Sequence, residues 1–324
     1  MATPTGFETP ITIDDGERDG DGAGAGARRL VGPYRSPAQM LQEQTYDGHM
    51  SVHDESTAAS LGLVGAPIEA PTHFSQIDPL AVAEWGPAWF ERGCISGHFR
   101  TMVVEGEQVQ ATLTPTGATT ANIEAHKADD TPVLTGTAGI DVDPTQTELG
   151  RRLGALGDPG ELFVIDRLQV GMRSDRPDTV TMTRAGRNGD GYPFSLDEKL
   201  ARITEAHRWY TDEGGAESPW SRAIVPFEMI SVLASRSHFA WPVRNPSLGL
   251  FLDLEINLTN GPIFVDHPYV LVRELVGLGQ SRRTESYWTK TTMTDEVTGN
   301  QVATVLLHSG VFKESYPGYP ADRL

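Results

Sequence analysis

GAPIEAPTHFSQIDPLAVAEWG, residues 65–86, and AIVPFEMISVLASRSHFAW, residues 223–241, open in the same way. Each starts extended and turns into a largely apolar helix. In the first, Pro67 and Pro71 hold the start extended, because a proline pushes the residue before it out of the helical region. Its helix is predicted from about Thr72 into the 80s, kinked or broken at Pro79, which has no N–H to give. Pro67–His73 can be laid on Ala223–Met229, and Gly106–Val109 on His267–Val270 at nearly the same separation. The identities are few, so the repeat rests on order and spacing.

Strands follow both helices. CISGHFRTMVVEGEQVQATLTP, TTANIEAHKAD and TPVLTGTAGIDV read as three or four strands after Trp89. GLFLDLEINLTN, YVLVRELVGLGQS with TESYWTKTTMTDE, and NQVATVLLHSGVF read as long strands, with a hairpin turn at Thr298-Gly299-Asn300. FVIDRLQVGMRS and DTVTMTRAG are strand-like as well. SLDEKLARITEAHRWYTDE reads as an amphipathic helix capped by Ser195. Short helices are expected from Ser36-Pro37 and over Asp54–Leu61.

A helix followed by meandering strands, twice over, is an α+β plan. It predicts two long central helices, each wrapped by an antiparallel sheet. The length, 324 residues, suits two cores of roughly 150 residues each. Residues 1–30, acidic and then rich in Gly and Ala, are expected to be a mobile or irregular segment. Residues 31–150 and 160–324 are the expected domains, divided in the Gly-rich, polar stretch 144–162.

The net charge of −18 repels nucleic-acid phosphate. It equally opposes an anionic carrier such as coenzyme A, so a site for one needs a local basic patch. No run approaches the ~20 apolar residues that span a bilayer. The N-terminal residues show no basic region followed by an apolar one, so no secretory signal is expected and a cytoplasmic location is. The single cysteine, Cys94, is read as buried and inert. The scattered histidines give no metal site and no cofactor is expected.

Residues 46–110 carry a sharper pattern: Tyr46-Asp47, Val52-His53-Asp54, Ala58, Leu61-Gly62, then Gly65-Ala66-Pro67-Ile68. With the repeated plan, this resembles the MaoC-like hydratase/dehydratase branch of the hotdog superfamily in its tandem, double-hotdog form. In that family a run of the form Asp-x-Asn-Pro-x-His-x-Asp leads through an Ala and a Gly to Pro-Ile-Ala-His-Gly. The resemblance implies a pocket for an acyl thioester of coenzyme A or a carrier protein. The Asp and first His of the run act on an enoyl thioester and a water, and a backbone amide near the helix start polarises the thioester carbonyl. With Asp47 and Asp54 on the two family aspartates, Val52 falls on the His position, His49 on the Asn position, and His53 one residue late. The family's Pro-Ile-Ala-His-Gly is Pro-Ile-Glu-Ala-Pro here.

Adding water to an enoyl thioester needs a base, an acid and donors for the enolate oxygen. The candidate catalytic residues are therefore Asp47, His49 and His53 in the polar segment, with Glu69 and His73 flanking the start of the central helix. Glu228, similarly placed in the second half, is kept as a substrate-binding residue, as are His98 and Arg100 on the first strand after the helix and Arg222 as a phosphate contact. Alternation puts His98 on the face of Ser96, opposite Phe99. A solvated strand face for His98 and Arg100, and an ordinary surface charge for Arg222, are the simpler readings of these last three. The leading expectation is a hydro-lyase on an acyl thioester. The alternatives are a non-catalytic binder of an acyl chain or small apolar ligand, and a thioesterase with Glu69 or Glu228 activating water. A homodimer is left open.

Overall fold

A computed structural model describes residues 6–15, 28–45, 51–236 and 239–324. In the first half, β1 (Thr12–Asp14) and β2 (Arg29–Val31) precede α1 (Glu55–Ser60), α2 (Thr72–Trp85) and α3 (Ala88–Arg92). β3 (Gly93–Phe99), β4 (Val109–Pro115), β5 (Thr120–Lys127) and β6 (Pro132–Ile140) follow, and α4 (Glu148–Gly154) leads onward. The second half runs β7 (Asp178–Thr181), α5 (Leu196–Leu200), α6 (Asp212–Ala216), α7 (Phe227–Ser235), then β8 (Gly249–Leu258), β9 (Pro268–Gln280), β10 (Thr284–Asp295) and β11 (Gln301–Phe312).

All eleven strands form one sheet, in the order β1-β2-β4-β5-β6-β3-β8-β11-β10-β9-β7. Beyond β1, the order β2-β4-β5-β6-β3 is repeated in reverse as β8-β11-β10-β9-β7. In each half the strand before the helix lies at the far edge and the strand just after it lies at the centre. The halves join where β3 pairs antiparallel with β8, from Cys94 opposite Asn257 to His98 opposite Asp253.

α2 lies on one face of this sheet. Phe74, Ile77, Leu80 and Ala81 are fully buried. Gly97 lets the helix come close, since a Cβ there would sit 2.9 Å from the Phe74 ring. Met229, Ile230 and Leu233 of α7 belong to the same apolar cluster as Phe74 and Ile77, so the halves share a core. Trp89 stacks on Phe227 with ring centroids 4.6 Å apart.

Several expectations are corrected. α2 continues through Pro79, because it is buried all along Thr72–Val82 and packing outweighs the lost backbone bond. α7 is nine residues, not a long helix. Around Ser36-Pro37 the chain is extended and pairs Arg35 with Val109. Residues 163–174 form no strand; instead the N–H groups of Phe163, Val164 and Ile165 converge on the buried Glu285 carboxylate. The long helix from Ser195 stops after five residues, although Ser195 and Glu198 form the capping box its sequence encodes. α4 falls in the Gly-rich, polar stretch where the domains are expected to divide, with Leu149 fully buried. Short strand β1 falls within the N-terminal stretch expected to be irregular, and β2 straddles its end; residues 16–27 lie outside the described residues. The helix over Glu55–Ser60 and the turn at Gly299 (φ 72°) form as expected.

No helix among the described residues is long and apolar enough to cross a membrane.

Candidate functional site

The approaches to the two central helices differ in length. Pro67 bridges Val104 just as Ile224 bridges Phe264. Ile68 then donates its N–H to Val103, and Val225 to Ile263, each at 2.8 Å. From Ile68 the chain takes Glu69, Ala70 and Pro71 before α2; from Val225 it takes Pro226 alone before α7. The ungapped pairing of Pro67–His73 with Ala223–Met229 is therefore out of register at both ends. Glu69 has no counterpart in the second half, and Glu228, second residue of α7, corresponds to His73, second residue of α2.

Those two additional residues put Glu69 into a buried ionic cluster. Lys199 of α5 is 2% exposed. Its Nζ lies 2.6 Å from Glu228 Oε2, 3.4 Å from Glu69 Oε2 and 2.9 Å from Thr72 Oγ1. Ser75 of α2 donates its hydroxyl to Glu228 Oε1 at 2.5 Å. Burial alone would discharge Lys199, but the two carboxylates outweigh it and hold the ammonium's pKa above the ordinary value. One cation cannot balance both carboxylates in this low-dielectric setting. Burial, reinforced by Glu228 and opposed by Lys199, pushes the Glu69 carboxyl upward, toward its neutral acid. A second buried carboxyl, Asp78, accepts a bond from Trp89 Nε1 at 2.9 Å, and burial raises its pKa strongly.

His53 reaches the same approach from the preceding loop. Its Nδ1 lies 2.7 Å from the carbonyl oxygen of Pro67. Burial lowers its pKa more than this bond raises it, so the ring is neutral near pH 7. His73 is 3% exposed, and burial with the charges of Lys199 and Lys127 lowers its pKa to about 4. His73 Nδ1 and both amide atoms of Gln76 are buried without a hydrogen-bond partner among the described residues. The N–H groups of Thr72, His73 and Phe74 are tied to the carbonyls of residues 69–71 at 2.9–3.2 Å. The first turn of α2 is thus closed on itself, against the expected amide donor there. α7 instead starts from extended Pro226 (ψ 146°) with no side-chain cap.

The candidate residues therefore separate. Glu69 and Glu228 meet at Lys199, with His73 close enough to feel its charge. His53 bonds the extended lead-in two residues before Glu69. Asp47 and His49 lie outside the described residues. Asp54 caps α1, accepting from Thr57 N–H at 2.8 Å. His98 is on the wrong face for the expected role: Gly97 faces Phe74 of α2, so Ser96 and His98 face away from α2, toward α4. There His98 Nδ1 lies 2.6 Å from Asp253, which also holds His308. Arg100 is exposed just past the end of β3, and Arg222 is exposed with its guanidinium 4.3 Å above the Phe264 ring. None of these three touches the Lys199 cluster.

Lys199, Ser75, Gln76 and Asp78 were not singled out from sequence. Lys199 had a signal: it stands three residues after Leu196 and one before Leu200, on the apolar face of a capped helix. Two concavities, of about 300 and 230 Å³, are lined by residues of the α4 side, including Leu153 in one and Cys94 in the other, and by no residue of the α2 approach. Cys94 is buried, and desolvation pushes its thiol well above the ordinary value. Among the described residues no cluster of His, Cys, Asp and Glu is placed to hold a metal ion.

No family model matches the chain, and no curated protein matches it. Among solved structures it is similar to a putative MaoC domain protein dehydratase from Chloroflexus aurantiacus, at 16% identity and TM-score 0.48, over 80% of this chain and 85% of that one. It is also similar to a conserved hypothetical protein of Mycobacterium tuberculosis described as having a double hotdog fold, at 11% identity and TM-score 0.46, over 80% and 86%. A third likeness is to the dehydratase domain of a mycocerosic acid synthase-like polyketide synthase, at 12% identity and TM-score 0.46, over 96% and 98%. Independently of these likenesses, the repeated strand order, with a helix against the sheet in each half, makes the chain a double hotdog.

Proposed function

We propose that the chain is a hydratase or dehydratase acting on an acyl thioester, of coenzyme A or a related carrier, with His53 as general base and Glu69 as general acid. The observation that carries this is the 2.7 Å contact between His53 Nδ1 and the Pro67 carbonyl. A carbonyl oxygen only accepts, so Nδ1 carries the proton and Nε2 keeps its lone pair. Burial keeps that ring neutral. A neutral, tautomer-fixed imidazole held on the lead-in to the central helix is suited to proton abstraction next to a thioester carbonyl.

In dehydration, Nε2 takes the proton from the carbon adjacent to the thioester carbonyl. The electron pair forms the double bond, and the β-hydroxyl leaves as water with a proton from Glu69, whose environment favours the acid form. Hydration is the reverse. Asp47 and His49 belong to the same polar segment and are the candidates to position the water. Glu228 is poorly suited to attack or to activate water, because both its oxygens are engaged, by Ser75 and Lys199. This weighs against a thioesterase working through Glu228; for one working through Glu69, the upward push on that carboxyl disfavours the carboxylate that would activate water.

The test is a panel of 2-enoyl and 3-hydroxyacyl thioesters on coenzyme A and on phosphopantetheine, followed by the absorbance of the conjugated enoyl thioester. Turnover is expected, and His53→Gln should lower it by roughly 10²–10⁴-fold. No turnover across the panel, or a His53→Gln enzyme as fast as the parent, overturns the reading. Thiol release without a change in the double bond would favour the thioesterase.

A further inference from the structure

Most of the buried polar side chains of α2 are paired. Thr72 meets Lys199, Ser75 meets Glu228 and Asp78 meets Trp89. The exceptions fall together. His73 and Gln76 stand three apart, so they are neighbours on one helix face. Each is 3% exposed, and between them they leave one ring nitrogen, one amide nitrogen and one amide oxygen unpartnered. Native interiors leave few such atoms, and each one asks what would pair with it.

The chemistry of the face narrows the answer. Gln76 offers both a donor and an acceptor, and the His73 ring is uncharged near neutral pH. The buried cation beside them, Lys199, is already shared by Glu69 and Glu228. An anionic group brought here would meet the Glu228 carboxylate, while the cations whose charge reaches His73, Lys199 and Lys127, are already paired with Glu228 and Glu107. A plain alkyl chain would leave all three polar atoms dry. We infer that the acyl group this chain accepts carries a neutral hydrogen-bonding substituent, a hydroxyl or a carboxamide, which pairs with Gln76 and His73. Gln76 lies four residues beyond Thr72, about 6 Å along the axis, so the substituent sits beyond the reacting carbons. The inference rests on the acyl-thioester reading and adds the class of acyl group.

Binding of unreactive thioether analogues of acyl-coenzyme A, measured by calorimetry, separates the two. Analogues of equal length would end in methyl, hydroxyl, carboxamide or carboxylate. The parent protein should bind the hydroxyl or carboxamide form about tenfold or more above the methyl and carboxylate forms, and the arms identify which. Gln76→Leu should abolish that preference while keeping the methyl form. Without ligand it should also melt higher than the parent, because it removes two unpaired buried atoms. Equal binding of all four forms, or a preference untouched by Gln76→Leu, overturns the inference and leaves the thioester reading standing. A lower melting temperature for Gln76→Leu together with an unchanged preference would mean that water alone pairs with Gln76, and also overturns it. Failure of every analogue to bind overturns both. Should Gln76→Leu fail to fold, Gln76→Met read in the same assay decides the matter.

Discussion

Lys199 Nζ lies 2.6 Å from Glu228 Oε2, with 3% of one side chain and 1% of the other exposed. Ser75 adds a bond to the same carboxylate from the other half of the molecule. Taking these charges out of water is expensive, and only their mutual contact repays it. Glu228→Ala leaves Lys199 with the more distant Glu69 alone and should cost about 3–5 kcal/mol, read by denaturant unfolding. The double variant Lys199→Met/Glu228→Gln removes both charges and should be markedly less destabilised than Glu228→Ala. A double variant as unstable as the single one would show that packing, not charge pairing, holds this region.

His73 makes stability depend on pH in a defined direction. In the unfolded chain it takes a proton near pH 6.5; in the folded protein burial lowers that to about 4. Between these values the unfolded state holds more protons, so stability rises with pH across this window and falls as the medium is acidified through it. The full shift is worth about 3 kcal/mol. His73→Phe should flatten the pH 4–6.5 slope of unfolding free energy by about that amount. An unchanged slope would place the acid sensitivity elsewhere, with His53 as the next group to test because its shift has the same sign.

For His53 the proposed chemistry fixes the shape of the activity profile. A base must be unprotonated, and burial lowers this ring's pKa from the ordinary value near 6.5. In the dehydration direction the acidic limb of kcat/KM should therefore lie below pH 6.5, with the alkaline limb set by the raised carboxyl of Glu69, and the acidic limb should vanish in the residual activity of His53→Gln. An acidic limb centred above pH 7 would be inconsistent with this ring as the base.

The repeat was legible in the sequence because it is written in long-range order: an extended lead-in, an apolar helix, four strands, twice. Single-residue register was not. Glu69 and Ala70 are two additional residues whose effect appears only when Pro67–Val104 and Ile224–Phe264 are seen to bridge alike. The face of His98 relative to Ser96 and Phe99 was readable from alternation, but which face met α2 depended on Gly97. The ionic cluster was half-legible. Glu69 and Glu228 stood out as acids near apolar helices, whereas Lys199 lay among charged neighbours in a helix that ends early, 130 residues from one partner and packed beside both.

Gly97 gives the last prediction. It sits in the central strand β3, where glycine weakens a strand for want of a side chain and for its extra freedom in the unfolded state. Propensity alone would make Gly97→Ala stabilising. The local geometry argues the reverse. An added Cβ would lie 2.9 Å from one Phe74 ring carbon and 3.1 Å from a Leu134 methyl, both in the buried core. Neither side chain is a flexible end facing solvent, so relief must come from moving α2 off the sheet or Phe74 off its rotamer. Overpacking of this kind costs about 1–3 kcal/mol. The same displacement would shift the turn carrying Glu69 relative to His53. Gly97→Ala should therefore lower the melting temperature and, in the enoyl thioester assay, reduce kcat more than His98→Ala, whose side chain faces away from α2. If His98→Ala proved the more damaging to kcat, the chemistry would have to be sought on the α4 side of the sheet instead.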